Sequence, residues 1–279
     1  MKPKAKRGNR LDRRGFIKNA GTIVLSGAIE LVFPRPSAFG TQPRDRARPN
    51  ILLFFPDQFR FDWVGWNAHI PVHTPNLDSL ARRGFRFTRA VVPSPLCAPS
   101  RACLASGKEY DRCGVRSNEH NFPLIETTFY SLLRDAGYHV AGCGKFDLHK
   151  ATKNWGLEGK HLLAEWGFSD GIDNGGKYDA VLSAVSNGKI EPKEPYLYFL
   201  QRMHLDKLHV QDFKRRQQIG TYRATFPTQL PDWAYCDNWV ANNGLKLLKN
   251  YWETTSYPRA IQKLFDLPTS CARLQPMKY

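Results

Sequence analysis

The residues best suited to chemistry stand in one short string, Cys97-Ala98-Pro99-Ser100-Arg101. A cysteine just ahead of a possible helix lies in the field of the helix N-terminus, which favours an anion there. On that ground alone Cys97 is either a thiol nucleophile or a buried small residue. Three further polar groups follow short apolar runs. Asp57 and Gln58 close the run Ile51–Phe55, and Lys145 follows Tyr138–Cys143. His149 stands four residues after Lys145.

These groups need elements to bring them together. Ile51–Phe55 is continuously apolar, the pattern of a strand buried on both faces. Thr74 can cap a helix that has Pro75 in its first turn, Leu77 and Leu80 as its apolar stripe and Gly84 at its end. Phe85–Val92 alternates like a strand, and Pro93–Arg101 reads as a turn-rich loop. Thr127 or Thr128 can open a helix through Ala136, stopped by Gly137, and Tyr138–Cys143 is then another strand. Alternating strands and helices predict an α/β sheet flanked by helices. In such sheets polar sites gather beyond the carboxyl ends of the strands, where Asp57, Gln58 and Lys145 fall. Further on, Trp155, Trp166 and the Gly-rich stretch 171–176 suggest a surface excursion. Tyr196–Leu200 suggests a strand, and Asp232 can cap a helix carrying Tyr235, Trp239, Leu245 and Leu248.

Of 279 residues, 42% are hydrophobic, which supports a packed core and excludes wholesale disorder. No apolar run reaches the ~18 residues of a membrane span. The net charge is +16, but residues 1–50 carry +9 of it and the other 229 residues only +7. A nucleic-acid partner is therefore not expected, since the basic excess belongs largely to a leader rather than to a folded face. Residues 1–40 have the order of an export signal: a basic start with Arg13-Arg14, an apolar stretch from Ala20 to Phe33, and small residues at Ser37-Ala38. This resembles a twin-arginine signal and predicts periplasmic or secreted delivery through the twin-arginine translocase. Residues 41–47 read as a linker. None of the six cysteines forms a CxxC pair, so free thiols are expected rather than a zinc ribbon.

Cys-x-Pro-Ser-Arg at 97–101 resembles the signature of the type I, formylglycine-dependent sulfatases. Arg48-Pro49-Asn50-Ile51-Leu52 through Pro56-Asp57-Gln58 is similar to the opening strand and metal loop of that family. Thr74-Pro75-Asn76-Leu77-Asp78 is similar to its first helix, and Gly137-Tyr138 with Gly144-Lys145 to its second signature. The resemblance implies an alkaline-phosphatase-like fold and hydrolysis of sulfate esters, of a small molecule or a glycan. It implies that a formylglycine-generating enzyme oxidises Cys97 to formylglycine. It implies Ca²⁺ (or Mg²⁺) held by Asp57, Gln58 and the residue at 97, whose hard oxygens suit such a cation. Arg101 would orient the nucleophile and the metal-site carboxylates, and Lys145 would bind a sulfate oxygen. The transition state of that reaction places charge on peripheral oxygens, which fixed cations stabilise.

Three departures stand against this. The family commonly has Gly-Lys-Trp-His-Leu, whereas this chain reads Gly144-Lys145-Phe146-Asp147-Leu148-His149. His149 either replaces the usual histidine or is structural. No later Pro-His pair occurs, and His204 and His209 stand in no such pattern. Nothing matches the family's C-terminal Asp-Asn or Asp-His-Gly ligands. The resemblance spans residues 48–250, so the reading is a C-terminally truncated sulfatase domain, with 251–279 a non-homologous tail such as a frameshift leaves. Two other functions compete: a catalytically inactive remnant, and a cationic module that binds sulfated polysaccharide.

Overall fold

The computed structural model describes residues 49–67, 69–220, 224 and 226–254. The signal-like leader, the linker and residues 255–279 of the expected tail lie outside them. The chain divides into two compact units, one ending at Phe54 and the other beginning at Phe55. Of the first, residues 49–54 are described, without regular secondary structure and with Ile51–Phe54 exposed. The expected strand Ile51–Phe55 is thus absent. An apolar run becomes a strand only where a neighbouring strand pairs with it, and no described residue does.

In the second unit, α1 (Pro75–Arg83) runs between Thr74 and Gly84 as expected, but Thr74 does not cap it: its hydroxyl accepts from Gly65 N–H and donates to Asp78 Oδ1. Leu80 of α1 is exposed. Phe85–Val92 forms no strand and is exposed throughout, for want of a pairing partner. The segment Pro93–Arg101 is not all loop. Helix α2 (Cys97–Ser106) begins at Cys97 itself and ends at Gly107, whose φ of 65° is left-handed. Ala98, Ala102 and Ala105 form its buried face. These small side chains let the helix sit close against Cys113, Val115, Phe122, Leu148, Trp166 and Phe168. Helix α3 (Phe129–Asp135) starts from a reciprocal cap in which Thr128 accepts from Ser131 N–H and Ser131 accepts from Thr128 N–H.

The expected strand at 138–143 is shorter and shifted, as β1 (Ala141–Gly144). It pairs in parallel with β2 (Asp170–Asp173), Ala141 opposite Asp170 and Gly144 opposite Asp173. Its small residues have a packing reason. A Cβ on Gly142 would lie 2.5 Å from Phe146 Cζ and 2.8 Å from Phe168 Cε1. The stretch 171–176 is therefore not a surface excursion: it forms β2 and the turn into α4 (Gly176–Ala184). Trp155 and Trp166 are fully buried, opposite to expectation, because each fills core volume rather than covering a loop.

A short hairpin, β3 (Val185–Ser186) with β4 (Lys189–Ile190), follows α4. Tyr196–Leu200 is helical, within α5 (Pro195–Arg202). Pro195 at the first helical position and the Glu194 carboxylate, which accepts from Tyr196 and Leu197 N–H, override its strand-like composition. Next comes α6 (Asp206–Ile219). Asp232 opens only a 3₁₀ turn to Ala234, and the long α7 (Cys236–Thr254) follows. α7 lies over β1: Cys143 Sγ is 3.5 Å from Val240 O. Tyr196, Leu197, Leu200, Leu230, Ala234 and Trp239 close a second core beneath α5 and α7.

Candidate active site

Four expected site residues meet at the carboxyl end of β1. Lys145 leaves the strand with its ammonium 3.5 Å from Cys97 Sγ, 3.2 Å from Asp57 Oδ2 and 3.3 Å from Asp147 Oδ2. Arg101, one turn along α2 from Cys97, donates to the Lys145 carbonyl and, at 3.1 Å, to Asp57 Oδ1. Its guanidinium lies 5.0 Å over the Phe55 ring. Cys97 is the first residue of α2, so it is held by a buried helix rather than a loop. Leu96 offers that helix no side-chain cap, and Asn118 Oδ1 takes its place by accepting from Ala98 N–H at 3.0 Å.

Burial alone would raise the Asp57 carboxyl, but the charges and hydrogen bonds of Lys145 and Arg101 outweigh it and hold it below its ordinary range. Burial would lower the Lys145 ammonium, and Asp147 and Asp57 more than reverse this, so its pKa is raised. Cys97 thus stands beside a permanent cation. That arrangement can fix an anion at the start of α2, where the helix field adds to it.

Lys145 belongs to a chain of charges that composition and spacing did not reveal. Asp147 occupies the position where the resembled family has histidine. Its side chain is fully buried, and its backbone is left-handed at φ 54°, a conformation Asp tolerates. Its Oδ2 faces Lys145 and, at 3.2 Å, Lys150, which also binds Asp179. Gly176, at φ 72°, lets the start of α4 lie on the Lys145 stem, since a Cβ there would be 3.2 Å from Lys145 Cδ. A buried Asp between two Lys residues leaves no periodic trace in a sequence, so only the departure at position 147 could have drawn attention to it.

The structure does not bring the other two expected residues into this group. Gln58 is exposed and takes no part in the network. His149 is fully buried, packed on Trp155, Trp166 and His161, with Nε2 3.1 Å from the Asn154 carbonyl. It touches neither Cys97 nor Lys145. Burial and the neighbouring His161 push its pKa down to about 4. In this structure the enclosed His149 ring is packed away from Cys97.

Nor do the described residues compose a metal centre: no three His, Cys, Asp or Glu side chains among them group around a common point. Asp57 and Gln58 offer two oxygen donors, and the Asp57 carboxylate is already engaged by two cations. This donor set alone does not fit Ca²⁺, which takes 6–8 oxygens.

The fold is of the mixed α/β, alkaline-phosphatase-like class. The phosphonate monoester hydrolase of Agrobacterium radiobacter superposes over 76% of this chain and 39% of its own, with a TM-score of 0.51 and 21% identity. Within that class, the sulfatase family model matches residues 49–256, and the chain belongs to the sulfatase family. It is 39% identical over 126 residues to arylsulfatase A of Homo sapiens, covering 43% of this chain and 24% of that protein. It is 31% identical over 134 residues to N-acetylglucosamine-6-O-sulfatase of Bacteroides thetaiotaomicron, covering 47% of this chain and 24% of that one. The matched stretches thus make up about a quarter of these relatives' length. No helix among the described residues is long and apolar enough to cross a membrane.

Proposed function

We propose that this chain carries the nucleophile and anion-binding part of a sulfate-ester hydrolase site. The observation that carries the reading is Cys97 at the head of α2 with the Lys145 ammonium 3.5 Å from its sulfur. A formylglycine-generating enzyme, with an external oxidant, would convert Cys97 to formylglycine; one hydroxyl of the aldehyde hydrate would then attack sulfur and expel the alcohol, and loss of the second hydroxyl's proton would eliminate sulfate and regenerate the aldehyde. Lys145 holds a sulfate oxygen against position 97. Arg101 fixes the Lys145 backbone through its carbonyl and keeps Asp57 turned toward the site. The names of the relatives favour an aryl or glycan sulfate as substrate. The Arg13-Arg14 leader supports delivery through the twin-arginine route to the periplasm or beyond.

A second reading, a chain that is modified but turns nothing over, is favoured by the donor set. Asp57 is spent on Arg101 and Lys145, and the described residues gather no further metal ligands. Co-expression with a formylglycine-generating enzyme tests both readings. Conversion lowers the mass of the Cys97 peptide by about 18 Da, a product distinct from the sulfenic-to-sulfonic series. The converted protein is then assayed on an aryl sulfate with millimolar Ca²⁺ against Cys97→Ala. Turnover above that control supports the hydrolase; conversion without turnover supports the inactive reading; an unconverted thiol overturns both.

A further inference from the structure

His149 was the expected catalytic histidine, and the structure gives it a different partner. Its Nδ1 faces Asp173 Oδ2 at 3.7 Å, just beyond hydrogen-bond reach, and neither atom has any other partner. Both side chains are fully enclosed. Nε2 of His149 meets a carbonyl, which can only accept, so Nε2 carries a hydrogen. In a neutral imidazole Nδ1 is then a bare acceptor. An ionised Asp173 would set a second acceptor against it, with neither atom given a protein donor, an arrangement that is costly for two buried groups. A proton on one of the two atoms turns it into a donor and removes the conflict, once the pair closes the few tenths of an ångström to hydrogen-bond distance.

We propose that His149 and Asp173 share one buried proton, and that this pair is the positioning device for Lys145. The link to Lys145 is direct along the backbone. Asp173 Oδ1 accepts from Phe146 N–H at 2.9 Å, and the next residue, Asn174, donates its N–H to Gly144 O at 3.0 Å. The two peptide groups flanking Lys145 are thereby clamped to the end of β2. His149 is itself pinned by Asn154 and by the Trp155 and Trp166 rings. The surrounding charges agree with a retained proton. Burial drives the Asp173 carboxyl well above its usual range, against the Phe146 hydrogen bond, and nearby Asp147 drives it further. Arg101 opposes weakly. On the histidine side the facing titratable group is His161. Tyr130 and Cys143 are the other titratable groups that face Asp173. The importance given to Lys145 rests on the proposed hydrolase reading; the shared proton does not.

The test compares wild type with Asp173→Asn, whose amide mimics the neutral acid: its oxygen can keep the Phe146 bond while its NH₂ donates to Nδ1. At pH 7 the folded wild type holds one proton that the unfolded chain, with ordinary Asp and His values, releases. Relative to Asp173→Asn, the wild-type folding equilibrium constant should therefore fall about tenfold per pH unit between pH 5 and 8. Amide exchange at Phe146 should stay protected in Asp173→Asn and lose protection in Asp173→Ala, a split that loss of packing alone would not give. Parallel pH profiles for wild type and Asp173→Asn would overturn the shared proton, whether or not a water bridges the pair. Should the variants not fold, ¹⁵N-histidine spectra of the wild type decide: a slowly exchanging proton coupled to His149 Nδ1, either bonded to it or donated to it from Asp173, supports the proposal, and an Nδ1 that neither carries nor accepts a proton at pH 7.5 overturns it. None of these readouts needs turnover or conversion of Cys97, so failure of the hydrolase reading would leave them intact.

Discussion

Arg101→Met is the most informative perturbation of the site. The native guanidinium is about nine-tenths buried and makes three contacts of different worth. Its bond to the Lys145 carbonyl is charge-assisted, and losing it leaves that carbonyl without its partner, at about 1.5–3 kcal/mol. The ion pair with Asp57 is worth at most about 1 kcal/mol, because the Asp57 side chain is 57% exposed and solvent screens it. The stack on Phe55 adds about 0.5–1 kcal/mol, part of which the methionine recovers by packing. The carbonyl contact decides the outcome, and the total loss is expected at about 2–4 kcal/mol. Urea unfolding of the purified chain, followed by tryptophan fluorescence and far-UV circular dichroism, measures it through the midpoint at constant slope. Arg101→Lys should recover little, since an ammonium cannot span both acceptors with the geometry of the planar fork. A loss below about 0.5 kcal/mol, the range of ordinary surface substitutions, would refute the view that Arg101 organises the Lys145 segment.

Gly142→Ala drives a methyl group into Phe146 and Phe168, and overpacking of this kind should cost about 1–3 kcal/mol in the same unfolding assay. Burial raises the Glu194 carboxyl to about 7, against its backbone hydrogen bonds. A folded value above the unfolded one gives stability that is complete below pH about 4.5 and declines as pH rises to about 7; Glu194→Gln should abolish that decline, and an unaltered profile would count against the burial argument. With two donors, Asp57 and Gln58, among the described residues, the chain should bind Ca²⁺ only at millimolar or weaker affinity by titration calorimetry, as the weakest extracellular sites do; micromolar binding would reveal ligands beyond Asp57 and Gln58. Replacing Arg13 and Arg14 together by Lys should keep the chain in the cytoplasm by fractionation, because the export route reads that pair as an address; unchanged delivery would remove the twin-arginine reading.

Local chemistry was legible wherever the deciding forces act within a few residues. Pro75 in the first turn, Thr127 or Thr128 as the opening residue and the stop at Gly137 mark α1 and α3, since helix starts and turn glycines are set by adjacent backbone. The string from Cys97 to Arg101, and polar residues closing apolar runs, pointed to Asp57 and Lys145 as site members. Tertiary structure decided the rest. Ile51–Phe55 and Phe85–Val92 have strand composition without a paired neighbour, and pairing cannot be read from one segment. Glu194 turned Tyr196–Leu200 into helix because its carboxylate satisfies two amide donors. Trp155 and Trp166 enclose His149 and remove it from the nucleophile, an outcome set by burial rather than by its distance from Lys145 in sequence. The ammonium of Lys145 is placed by Asp57, Asp147 and Cys97, which span 91 positions of the chain. Ion pairs form between whichever charges the packed elements bring within a few ångströms, and sequence separation carries no record of that distance.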